Sequence, residues 1–183
     1  MKILALFFSF TMVLLVACSS TSFTTDHDPE INFSSYKTYA WYTGEMPADD
    51  ALSANPLVQK RVASGVDKAL QAKGYAQATS EDFDFVVIIH AGTKEKTQVT
   101  NYGYGGYGYG RYGGGWGGYG GQTDVYQYDE TTLVIDLVDS EKKELAWRGT
   151  ATGVVKDYSS QEKRQEGIDK VVARILRDFP PGQ

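Results

Sequence analysis

Along the chain, apolar positions follow different rules in turn, and each change of rule marks a change of element. Ile3 to Ala17 is an unbroken run of apolar and small residues behind a single charge, Lys2. The run is shorter than the ~20 residues a membrane-spanning helix needs. It predicts a signal peptide over residues 1–17. Residues 19–32, SSTSFTTDHDPEIN, have no apolar period, so residues 18–32 predict a polar tether. Alternation begins at Tyr36-Lys37-Thr38-Tyr39-Ala40-Trp41-Tyr42, where rings alternate with smaller residues as in a strand.

After the loop Gly44 to Ala54, the spacing changes to three and four. Asn55 predicts an N-cap, and Pro56 suits a first helical turn, where its missing N–H costs nothing. Val58, Val62, Val66, Ala69 and Leu70 then share one face of a helix running to about Lys73, and Gly74 supplies a left-handed stop. Phe83 to His90 is an almost continuous apolar run, as expected of a strand covered on both faces. Leu133–Val138, the polar turn Asp139–Lys143 and Glu144–Ala151 predict a hairpin. Its alternation puts Leu133, Ile135 and Leu137 on one face, Leu145 and Trp147 opposite them, and Asp136, Arg148 and Thr150 outward. In the second helix, Ser159 with Glu162 fits a capping box. Ile168, Val171, Val172, Ile175, Leu176 and Phe179 make its apolar face, and Pro180 and Pro181 end it.

A helix between the first two strands favours parallel pairing through a right-handed crossover, while the later strands are hairpin-linked. The predicted fold is α+β: a mixed, mostly antiparallel sheet of about four strands, with two helices packed on one face. One domain over residues 33–183 contains it, interrupted by a long Gly/Tyr-rich loop at 101–122.

That insertion holds little but glycine and rings. Loop-closure entropy grows only logarithmically with length, so the fold tolerates it. The flanks Thr97–Thr100 and Thr123–Tyr128 are β-prone, and the strands are expected to extend into a ribbon with the tract at its tip. Tyr104, Tyr107, Tyr109, Tyr112, Trp116 and Tyr119 offer stacking surfaces for sugar faces or partner proteins. Arg111 is the tract's only charge, unlike the many arginines of RNA-binding Gly-Arg tracts.

Charge removes one class of partner. The net charge of -5 becomes -6 once residues 1–17 leave, because Lys2 goes and no acid does. An acidic chain gains nothing from counterion release, so nucleic acid is not expected as a partner. Cys18 is the only cysteine and cannot form an intramolecular disulfide. Leu15-Val16-Ala17-Cys18 resembles a bacterial lipobox, in which a diacylglyceryl-modified cysteine becomes the first residue. A plain secreted protein and an uncleaved anchor are the alternatives; Leu15 fits ordinary cleavage after Ala17 poorly. Several acyl chains on Cys18 would anchor the domain durably in a membrane. Ser19 and Ser20 follow where Asp tends to mark inner-membrane retention, which points to the outer membrane, periplasmic side.

Candidates for catalysis are few. His27 lies between Asp26 and Asp28 without further metal ligands nearby, and His90 ends a strand. Asp82 and Asp84 flank Phe83 as a possible carboxylate pair of the kind glycoside hydrolysis uses; the plainer role is to begin a strand with polar residues. Gly108 to Gly113 matches G-x-G-x-x-G, as expected by chance in a glycine tract, and no helix pattern follows it. No nucleophile elbow, H-E-x-x-H or paired C-x-x-C occurs. Arg148 on the outward face suits either a cross-strand pair with Asp136 or an anionic ligand.

Taken in order, Asp26-His27-Asp28-Pro29, Phe33 with Tyr36 to Trp41, Lys73-Gly74-Tyr75, Ala146-Trp147-Arg148-Gly149 and Phe179-Pro180-Pro181 resemble a bacterial lipoprotein family, domain-of-unknown-function family 4136. The family pattern more often carries an aromatic residue where His27 stands. The resemblance covers the chain from about residue 24 onward; it implies a fold and an envelope location but no catalytic residues, and no cofactor or metal is expected. The sequence reads as a non-enzymatic envelope lipoprotein that binds an envelope protein or peptidoglycan through its aromatic loop. The alternatives are a self-associating structural protein, and a hydrolase of envelope polymers acting through Asp82, Asp84 or His90.

Overall fold

The computed structural model describes residues 21–101, 123–154 and 157–182. The expected signal peptide, Cys18 and the Gly/Tyr tract lie outside these residues. The sheet has six strands: β1 (Ser22–His27), β2 (Thr38–Trp41), β3 (Ala76–Gln77), β4 (Phe85–Asn101), β5 (Thr123–Asp139) and β6 (Leu145–Val154). Two helices, α1 (Pro56–Ala72) and α2 (Gln161–Ile175), complete the fold. Strand order is β1-β6-β5-β4-β2-β3. β1, β6, β5 and β4 pair antiparallel, and β2 runs parallel to both β4 and β3.

The expected four strands are thus six. Part of the segment read as a tether is the edge strand β1, with Phe23 paired to Ala151 and His27 to Trp147. Its sequence, SFTTDH, carries one apolar residue, and most of the strand is exposed. Backbone pairing at an edge leaves no alternation to detect. β3 is two exposed residues, below the length at which any period shows.

The helices start where local chemistry dictates. Asn55 Oδ1 accepts from Val58 N at 3.4 Å with Pro56 in the first turn, and Gly74 ends the run at φ +90°. α2 begins one residue later than expected. Ser160, not Ser159, is its cap, with Oγ accepting from Lys163 N at 3.3 Å; Ser159 Oγ accepts from Lys163 Nζ.

One sheet face carries the core. Phe85, Val87, Ile89, Ile135, Leu137 and Trp147 pack there against Val62, Val66 and Leu70 of α1 and Val172 and Ile175 of α2. Leu145 does not join them. A bulge between Leu137 and Val138 shifts the register, so Leu145 is exposed and Ala146 is buried.

Phe179 is the hub of an aromatic cluster at the end of this core. Its ring centroid lies 5.3 Å from Tyr75, 5.4 Å from Trp147 and 5.9 Å from both Phe33 and Phe85. Tyr36 and Tyr39 stack on Phe85 at 5.2 Å and 5.9 Å. Such pairs contribute ~0.5–1.5 kcal/mol each beyond their area.

Candidate functional site

The sheet face turned away from the helices holds a charged cluster. β5 and β6 bring Asp136 opposite Arg148. Arg148 Nε donates to Asp136 Oδ1 and Nη2 to Oδ2, both at 2.6 Å. His90, one strand over, places Nε2 3.3 Å from the same Oδ2. Asp136 is 6% exposed, and the Arg148 and His90 side chains cover it. Hydrogen bonding to Asp136 raises the Arg148 pKa above its already high ordinary value. The outward placement of Asp136, Arg148 and Thr150 agrees with the alternation. The bidentate geometry neutralises the charge an anionic ligand would seek, so the cluster is built first as a cross-strand clasp. Among the described residues, no hydroxyl is hydrogen-bonded to His90, and the arrangement lacks a positioned nucleophile.

Of the two carboxylates suggested for catalysis, Asp84 is committed to the backbone. Asp84 Oδ2 accepts from Lys37 N and Thr38 N at 2.7 Å and from Thr38 Oγ1 at 3.0 Å, tying the start of β2 to β4. Burial pushes its carboxyl up, and these donors more than offset that, holding it below the usual carboxylate range. Asp82 is exposed, its N–H donating to Ser80 Oγ at 3.4 Å. His27 is exposed on the edge strand, its ring edge-on to Phe33 at 6.1 Å.

Sequence reasoning missed three other carboxylates. Asp139 accepts from Tyr36 Oη at 2.6 Å and from Lys142 N and Glu141 N at 2.7 and 2.9 Å. Asp67 Oδ1 receives Tyr39 Oη at 2.8 Å and Trp41 Nε1 at 3.0 Å. Asp50, 6% exposed, receives Ala91 N, Ser53 N and Ser53 Oγ, each at 2.7 Å. Burial and hydrogen bonding to the partner carboxylate raise the phenols of Tyr36 and Tyr39 above their ordinary value. A helix-face aspartate three residues before a buried leucine, as Asp67 lies before Leu70, gives no sign of this partnership; only the tertiary contact does. Among the described residues, no group of three or more His, Cys, Asp or Glu side chains converges on a metal position.

Two further features stand out. Between the helices and the sheet lies a cavity of about 540 Å3. Beyond the body, β4 and β5 continue as a pair. Among the described residues, the last β5–β6 pair is Glu130↔Val154 and the last β2–β4 pair is Trp41↔Val87, while the β4–β5 ladder runs on from Glu95↔Asp129 to Asn101↔Thr123. Among the described residues no third strand pairs with that stretch, which spans roughly 20 Å at ~3.4 Å per residue. Tyr104, Tyr107, Tyr109, Arg111, Tyr112, Trp116 and Tyr119 belong to the chain that connects its two strands and lie outside the described residues. Among the described residues, no helix is long and apolar enough to cross a membrane.

The architecture defines a two-layer α+β domain whose buried carboxylates bond to its own backbone and side chains. The Domain of unknown function (DUF4136) family matches residues 23–181, and the chain belongs to that family. No curated protein matches it. Among solved structures, a PDZ domain protein from Parabacteroides distasonis is similar over 89% of this chain and 36% of its own, at 12% identity and TM-score 0.56. The chain therefore spans little more than a third of that protein, and the likeness shows the fold alone. A DUF4136 family protein from Bacteroides thetaiotaomicron shares 18% identity over 87% of this chain and 96% of its own, with TM-score 0.43. A minor lipoprotein from Acinetobacter baumannii shares 15% identity over 78% and 91%, with TM-score 0.38.

Proposed function

We propose that the protein is a lipid-anchored lipoprotein on the periplasmic side of the outer membrane, with a non-enzymatic binding role in the envelope. The Gly/Tyr tract is its contact element. The observation that carries this reading is the β4–β5 arm, which no third strand supports among the described residues. A two-stranded ribbon is marginally stable by itself, and this one leads directly into a tract of rings suited to stacking. The lipobox-like Leu15 to Cys18 supports the anchor, and Ser19 and Ser20 support the outer-membrane address.

The test is capture of the protein on purified sacculi and on detergent-solubilised envelope, with and without residues 101–121. Capture that depends on the tract is expected; equal capture by both forms refutes the assignment. Cys18→Ser is expected to move the protein out of the membrane fraction. A second reading, self-association, is favoured by the arm's form: a two-stranded ribbon with no third strand among the described residues can accept another chain at an edge. Its signature is concentration-dependent sedimentation that disappears with the tract.

A further inference from the structure

The cavity between the first turns of the helices and the inner sheet face has its own chemistry. Its volume of about 540 Å3 falls in the range of small-molecule sites. Leu52, Val62, Ile168 and Val171 form one side, and Leu133 and Ala151 of the sheet form the other. Leu52, Val62 and Ala151 are buried, whereas Leu133, Ile168 and Val171 are only partly covered and leave apolar surface facing the opening. Tyr158 lies flat on α2 at Gly167, where a Cβ would collide with its hydroxyl, and borders the space.

The charged residues of the lining, Arg164, Lys170 and Asp157, are all exposed and so border the mouth. Among the described residues, neither cation has an ion-pair partner. Two cations against one carboxylate leave the mouth net positive. A peptide would need a row of backbone partners, and away from the charges the walls offer only the scattered polar groups of Thr21, Asn55, Thr131 and Tyr158. A cationic amphiphile would meet a like charge, and a purely apolar guest would leave both cations unused.

We propose that this cavity binds a long-chain fatty acid, its chain against the apolar walls and its carboxylate at the mouth beside Arg164 and Lys170. Thr21 lines the cavity only three residues after Cys18. Anchored as proposed above, the cavity wall at Thr21 would stay within roughly 10 Å of chain length from the lipidated residue. Binding itself goes beyond that reading and does not require it.

The experiment uses the full-length protein in its own membranes and a diazirine-bearing hexadecanoic acid, with adducts mapped by mass spectrometry. Labelling is expected on residues lining the cavity, saturable by unlabelled hexadecanoate. It should fall at least fivefold in Arg164→Glu/Lys170→Glu and at least tenfold in Leu133→Trp, which fills the space. An alkylammonium probe of the same length should label at least tenfold less. Adducts elsewhere, or labelling indifferent to head-group charge, overturn the proposal. If Leu133→Trp does not fold by circular dichroism, the exposed charge-reversal pair decides. Cavity labelling that emerges only in Cys18→Ser would make the protein's own anchor the occupant and also overturns it. Membrane fractionation of Cys18→Ser tests the anchor separately.

Discussion

Replacing Asp50 should cost more than any other surface-loop aspartate in this fold, because its carboxylate stands in for a missing strand. β2 leaves β4 after Trp41↔Val87, and farther along the Ala51 N–H donates to Ala91 O at 2.8 Å while Asp50 Oδ1 accepts from Ala91 N at 2.7 Å. Ala91 is 5% exposed, so its N–H has no ready access to water. Asp50→Ala leaves that donor unpaired and removes two charge-assisted bonds to Ser53. The loss is about 3 kcal/mol, since an orphaned buried donor costs ~1–3 and the Ser53 groups partly rehydrate. For a domain of this size the midpoint of thermal unfolding should drop by roughly 6–12 °C. Asp50→Asn keeps a neutral acceptor and should cost about 1 kcal/mol.

The same carboxylate makes a specific pH signature. Burial pushes the Asp50 carboxyl up, but the Ala91 and Ser53 donors prevail and hold it below the usual range. A folded-state pKa depressed below the unfolded value of about 3.9 contributes stability above that value. It is lost as pH falls through the folded-state pKa. The gap between wild type and Asp50→Asn in denaturant unfolding should therefore hold from pH 7 to about pH 4 and narrow progressively as pH falls below that. Parallel curves, or equal losses in Asp50→Ala and Asp50→Asn, would refute the argument.

Other substitutions test other joints. Gly149→Ala would drive a Cβ into the Trp147 indole and Ile175 Cγ2, and should destabilise by ~1–3 kcal/mol with altered near-UV circular dichroism. Asp84→Ala, which frees Lys37 N and Thr38 N, should cost about 2 kcal/mol and raise amide exchange at Thr38. Arg148→Ala strands the buried Asp136 with His90 alone and should cost about 2 kcal/mol; Asp136→Ala leaves a half-exposed guanidinium that water can solvate and should cost about 1. Equal costs in chemical denaturation would mean that burial of Asp136 carries no penalty.

The motifs by which the sequence resembles its family turn out to be architecture. Phe33, Tyr36, Tyr75, Trp147 and Phe179, drawn from four of the quoted stretches, meet in one aromatic cluster. Short motifs far apart in sequence are legible as a set because the hub at Phe179 needs all of them at once. The two helices and the central strands were equally legible, since their burial imposes a period on the chain. β1 was not: an edge strand is held by its backbone, and its side chains answer to solvent. Neither was the role of Asp50 or Asp139, because a carboxylate serving a distant backbone N–H, as Asp50 serves Ala91, or a distant phenol, as Asp139 serves Tyr36, looks in sequence like any loop aspartate. The candidate site shared this limit. Alternation put Arg148 and Asp136 on one outward face, but it could not show that they neutralise each other.

That division of labour bears on where recognition is to be sought. Asp50, Asp67, Asp84, Asp136 and Asp139 are each spent on internal bonds, and the core rings on one another. Groups so engaged bind a partner only by first breaking a native contact, at about 1–3 kcal/mol for each one left unsatisfied. The cations at the cavity mouth carry no such cost, and the β4–β5 arm, with no third strand among the described residues, carries little. If partner capture instead followed Asp136 or Asp84 with the tract and cavity both indifferent, recognition would have to reorganise the sheet, and binding-linked changes in amide exchange at β4 and β5 would reveal it.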